Sequence, residues 1–115
     1  MRSVRYGPWL WMRVYHDFHH LYPPEMLFDL ERDPHETRDL AAERPDVCGQ
    51  AARILEEWHR QMTAGSPDAV DPLETVIREG GPFHSRGALE GYCARLEATG
   101  RGAAAAELRR RAAGA

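Results

Sequence analysis

The densest group of titratable side chains in this chain is His16-Asp17-Phe18-His19-His20. Imidazole and carboxylate together form the donor set of many transition-metal sites, so His16, His19 and His20 are candidate ligands. Their spacing is not the i, i+4 of a helical pair, and no Cys or Glu completes a recognised zinc set. A solvated loop and a substrate or interface contact are the competing readings. A second candidate is Glu79-Gly-Gly-Pro-Phe-His-Ser-Arg-Gly87. Gly80, Gly81 and Gly87 allow close backbone approach. His84 and Arg86 could meet an anion at a substrate entrance or interface, since a guanidinium suits planar recognition of sulfate or carboxylate. Without a ligand the same stretch is an interface loop. Cys48 and Cys93 are the only cysteines. Both fall among apolar neighbours in predicted helices and read as buried thiols; a disulfide between them needs geometry that sequence does not supply. Trp9, Trp11 and Tyr15 are candidate interface anchors, because aromatic side chains dominate binding hot spots.

These side chains have few elements to position them. A length of 115 residues allows one small domain, which buries only about 65% of its unfolded surface. Hydrophobic residues make up 43%, enough to argue for a folded chain over a disordered one. No apolar run approaches a membrane span, and Met1 leads into an alternating, Arg-containing stretch and not a signal peptide, so the default expectation is the cytoplasm, with the location open if a signal lies upstream. All 15 basic residues are Arg, and the net charge of -3 gives no nucleic-acid footprint.

Residues 3–16 read as a β-hairpin about Gly7-Pro8, with Trp9, Trp11, Arg13 and Tyr15 on one face and Leu10, Met12 and Val14 on the other. Both faces are apolar and want cover, which one helix from so short a chain supplies on one side only. Residues 16–24 form a loop ended by two prolines, and Met26–Leu30 a third strand. Asp33-Pro34-His35-Glu36 has the form of a helix start, with cap, proline and carboxylate in order. A second start at Arg44-Pro45-Asp46 opens the main helix, from about Pro45 to Ala64. Its stripe of Val47, Ala51, Ile54, Leu55, Trp58 and Met62 should pack on the strands, and Gly65 should cap its end. Residues 65–70 read as a linker. Asp71-Pro72-x-Glu74 opens a short turn through Ile77, and a helix follows from about Ala88 to Thr99. The Ala- and Arg-rich end is helical, with Arg109–Arg111 on a solvated face. The expected organisation is α+β: residues 1–65 a three-stranded antiparallel sheet on one amphipathic helix, and residues 66–115 a helical arm that buries little by itself.

One ordered combination of these segments is specific. Arg2-Ser-Val-Arg5, a turn, the aromatic strand Trp9-Leu-Trp-Met12, the strand Met26–Leu30, then Asp33-Pro-His-Glu36 and Asp39-Leu-Ala41 resemble the signature that closes many bacterial sulfatases of the alkaline-phosphatase-like superfamily. Asp71–Gly87 and Arg95-Leu-Glu-Ala-Thr-Gly100 resemble the tail of one subgroup.

That resemblance implies a sulfuric ester hydrolase. Its nucleophile is a formylglycine made from the first residue of Cys- or Ser-x-Pro-x-Arg, and calcium is held by Asp and Asn or His. None of this transfers to the present chain. Cys48 is followed by Gly49-Gln50-Ala51-Ala52 and Cys93 by Ala94-Arg95-Leu96, Ser3, Ser66 and Ser85 also fail the motif, and there is no Lys. The resemblance therefore implies a C-terminal subdomain with no catalytic residue and no metal of its own. It would complete the fold and oligomer of an enzyme whose catalytic part, with its calcium and formylglycine, lies elsewhere. The implied partners are that catalytic domain or further copies of the chain, not nucleic acid or membrane. The alternative is a stand-alone protein-interaction module using the aromatic sheet face.

Overall fold

Alternating apolar residues on either side of Gly7-Pro8 fold into a hairpin, and Gly7 takes the left-handed conformation (φ 53°) that the tight turn needs. The computed structural model describes residues 1–66 and 70–114. Strands β1 (Arg2–Tyr6) and β2 (Trp9–Arg13) pair antiparallel with Val4 opposite Trp11. Strand β3 (Glu25–Asp29) pairs antiparallel with β2, setting Leu27 opposite Trp11, and the order is β1-β2-β3. Val4, Trp11 and Leu27 thus line up across one face of an open sheet. Leu10, Met12, Met26 and Phe28 share the other.

Helix α1 (Pro45–Thr63) covers the first face. Its Val47, Cys48, Ala51 and Leu55 close a core with Val4, Trp11 and Leu27. The apolar stripe continues to Trp58 and Met62, but these are 49% and 62% exposed, so the expected packing stops one turn short of them. A five-residue strand spans about 17 Å and a 19-residue helix about 28 Å, so the last turns of α1 overhang the sheet. The Tyr6 hydroxyl donates to the Val47 carbonyl at 3.0 Å, tying hairpin to helix. The helix ends at Thr63 with Ala64 as its C-cap, and Gly65 does not take the left-handed conformation of a glycine cap.

The helix start expected at Asp33 is a turn. Its carboxylate accepts from the amides of Thr37 and Arg38 and from the Thr37 hydroxyl, which holds its pKa below the ordinary range. Glu36 sits at φ 54°, which no helix can continue through. The chain then runs along β3, where Asp39 accepts from the Leu27 amide (2.9 Å) and the Leu40 amide donates to the Leu27 carbonyl (2.7 Å).

The chain divides into two compact units, Met1–Tyr15 with Tyr22–Val70, and His16–Leu21 with Asp71–Ala115. The division therefore differs from a boundary at residue 65, because the loop after β2 belongs with the C-terminal half. Within the expected linker, residues 67–69 lie outside the described residues. The second unit contains α2 (Pro72–Arg78), capped by the Asp71 carboxylate on the Leu73 amide, a single 3-10 turn (Phe83–Ser85), α3 (Leu89–Ala98) and α4 (Gly102–Ala113). Far from burying little, α3 and α4 form a hairpin about Gly100 with a core of Cys93, Leu96, Ala105 and Leu108, onto which Leu21 and Tyr92 pack. Ala105, fully enclosed, lets the two helices approach closely. Arg109 clamps them by pairing with Glu90 and Glu97. No described helix is long and apolar enough to cross a membrane.

Candidate functional site

The second unit brings the histidine loop and the glycine loop together. Phe18, His19 and Leu21 all hold left-handed backbone, at φ 54°, 66° and 60°. Each such residue costs about 1 kcal/mol or more, so side chains must fix them. The His16 Nδ1 accepts from the Phe18 amide (3.1 Å), and the Asp17 carboxylate accepts from the His19 amide (2.9 Å) while pairing with Arg111. The His16 ring lies on Gly81, where any Cβ would collide with it. Phe18 stacks on His84 (5.9 Å between centroids), and the His19 ring lies 6.2 Å from Tyr92 and within 3.5 Å of the Ser85 carbonyl.

These contacts hold the His16 and His19 rings and the glycine loop in place. The His16 and His19 rings meet edge to face at 6.0 Å. Among the described residues no group of three His, Cys, Asp or Glu could hold a metal ion. Burial pushes the His16 imidazole below its usual value, against the opposing pull of Asp17. Arg86 donates to the Gly81 carbonyl (2.8 Å) and to Glu79 (2.6 Å), stapling the glycine loop. His84 remains on the surface beside Phe18, and Phe83 is 86% exposed. Arg109, Arg110 and Arg111 are all ion-paired.

In the first unit the three aromatic anchors separate. Trp11 is fully enclosed and donates from Nε1 to Glu25 (3.0 Å), so it belongs to the core and cannot anchor a partner. The pleat that put it beside Trp9 and Tyr15 in sequence points it under α1. Trp9 is half-buried beneath the Arg44 guanidinium (5.0 Å), which also pairs with Asp46 at the start of α1. Tyr15 is half-buried under Arg2 (5.7 Å). Cys48 and Cys93 are buried free thiols, and burial raises the pKa of Cys48.

The surface that sequence reasoning missed lies at the edge of the sheet. The Pro8 carbonyl and the Val14 amide bond toward β3, to Leu30 and Pro24. Antiparallel ladders alternate, so Trp9, Trp11 and Arg13 bond toward β1 and occupy Tyr6, Val4 and Arg2. The N–H and C=O groups of Ser3 and Arg5 therefore point outward, and among the described residues nothing bonds to them. The β3 edge is closed by Asp39 and Leu40; the β1 edge is open. Beside it runs a groove of about 270 Å³ lined by Ser3, Val4, Ile54, Leu55 and Trp58. The signal available in sequence was the length of the apolar stripe on α1 set against a five-residue strand.

No protein family, curated protein or solved structure matches this chain.

Proposed function

We propose that this chain is the C-terminal subdomain of a sulfatase-type sulfuric ester hydrolase, completing the enzyme's fold and oligomer without carrying its chemistry. One observation supports the reading above others. Hairpin, strand β3, the Asp33 turn and helix α1 follow one another in the order of that family's closing signature, and the Asp33 carboxylate gathers three hydrogen bonds at the point where the signature places its Asp-Pro-x-Glu. Cleavage of a sulfate ester needs preorganised cations around the departing charge. Here Arg86 and Arg109 are committed to carboxylates, Cys48 and Cys93 are enclosed, and neither cysteine stands in a Cys-x-Pro-x-Arg context.

Two measurements test the proposal. Purified chain should hydrolyse an aryl sulfate no faster than buffer, with or without calcium; reproducible calcium-dependent turnover refutes it. The DNA upstream of Met1 should encode, in frame or in an adjacent frame, Cys- or Ser-x-Pro-x-Arg and a strand bearing paired aspartates. Absence of both favours a second reading, a stand-alone interaction module, which the exposed Trp58 in the groove beside an open strand edge supports.

A further inference from the structure

We propose that β1 is the seam of a two-fold dimer, in which a second copy of this chain adds its own β1 antiparallel to the open edge and the groove beside α1 is filled across the dyad. The inference stands on the edge and groove alone and does not depend on the enzyme reading. An open edge with outward groups at Ser3 and Arg5 is a template for another strand.

The register follows from the alternation. A dyad at Val4 sets Ser3 opposite Arg5 of the second copy and Arg5 opposite its Ser3. Both positions have outward N–H and C=O groups, so the two pairs exchange four hydrogen bonds. Val4 then meets Val4 in the closer, non-hydrogen-bonded pair on the face that carries the groove. Arg2 lies across from Tyr6, and Arg5 from Ser3, so no arginine opposes another. Sliding the register toward the turn would set Arg5 against Arg5, a like-charge pair that costs stability. Sliding it the other way sets Val4 opposite Arg2 and loses the apolar Val4 pair on the groove side. The sequence Arg2-Ser-Val-Arg-Tyr6 is therefore self-complementary in one register.

The apolar surface agrees with the same dyad. Ile54 and Trp58 line the groove beside β1, and Met62 follows four residues further along the same stripe of α1. Strand addition about Val4 brings the two stripes face to face, giving the exposed Trp58 and Met62 an apolar neighbour. β1 contains no proline and no bulge, two of the devices that keep edges apart, and its one outward-face charge, Arg5, stays on the polar face over Ser3.

Sedimentation equilibrium of the full chain, with amide exchange read at Ser3 and Arg5, tests this. The expected result is a dimer in which those two amides exchange more slowly as concentration rises. Ser3→Pro removes an N–H that the hairpin does not use. It should weaken association roughly 30-fold, because two symmetry-related donors are lost, while circular dichroism stays unchanged. Trp58→Glu, which leaves the strand intact, should also weaken it. A monomer at every concentration, with fast exchange at Ser3 and Arg5, overturns the proposal and leaves the edge to a strand of a different polypeptide. A dimer indifferent to both substitutions overturns it as well, because association then uses another surface.

Discussion

Replacing Trp11 tests the placement of the core. Trp11 is fully enclosed between Val4 and Leu27 under α1, and its Nε1 donates to Glu25. A buried tryptophan removes about 150–250 Å² from water. At about 25 cal/mol per Å² that is roughly 4–6 kcal/mol for complete removal. The unit it belongs to has roughly 60 residues, and at ~0.05–0.15 kcal/mol per residue its whole stability is about 3–9 kcal/mol. Trp11→Ala would therefore leave too little fold to measure, and Trp11→Leu is the useful change. Leucine keeps part of the apolar area but loses the hydrogen bond, worth about 1 kcal/mol, and leaves a cavity, for a total near 2–3 kcal/mol. Urea unfolding followed by far-UV circular dichroism reads the loss as a lower midpoint at unchanged slope. Trp58→Leu is the internal control, because a half-exposed side chain should change stability by no more than about 0.5 kcal/mol. The control is run at low protein concentration so that association does not contribute. If the two substitutions cost the same, Trp11 is not the centre on which α1 is seated, and the argument for an overhanging Trp58 fails with it.

Gly81→Ala should destabilise the second unit more than Gly80→Ala: both glycines have positive φ, at a backbone cost of about 1 kcal/mol each, but only at Gly81 does the new Cβ strike the His16 ring. Thermal melts and the His16 ring proton shifts check this, and equal costs at the two positions would remove His16 from its seat. Acidification should loosen the turn at residues 16–18. His16 is held below its usual value by burial, so its contribution is complete above the unfolded value near 6.5 and is lost as pH falls through the lower folded value. The Phe18 amide, which donates to His16 Nδ1, should lose exchange protection over that window even though Asp17 and Arg111 remain paired, and His16→Phe should abolish the pH dependence. A Phe18 amide indifferent to pH between about 7 and 5 contradicts the geometry. Native Cys48 and Cys93 should resist maleimide until urea unfolds the chain, since both are buried and the Cys48 thiol is pushed up; rapid labelling of Cys48 would show that the core opens without global unfolding.

Local chemistry made much of this protein legible. Gly7-Pro8 between alternating runs fixes the hairpin, because only a left-handed turn there lets the strands pair. Pro45 and the 3–4 spacing that follows fix α1, and Asp71-Pro72 fixes the cap of α2. Each depends on atoms a few residues apart, which is what sequence order controls. The same rules misread Asp33. Its carboxylate could serve a helix start or a wider turn, and the left-handed Glu36 with the chain's return to Leu27 selects the turn. Tertiary packing also decided which aromatics are buried. Trp11 and Trp58 each lie on an apolar face, but only the residue over the sheet's centre finds cover, since a 19-residue helix outruns a five-residue strand. The loop at residues 16–21 joins helices some 60 or more positions away. Arg86 pairs with Glu79 across the glycine loop, and the β1 edge stays open while Asp39 closes the β3 edge. Those outcomes are set by distances between remote segments, which are not encoded in any one stretch of residues.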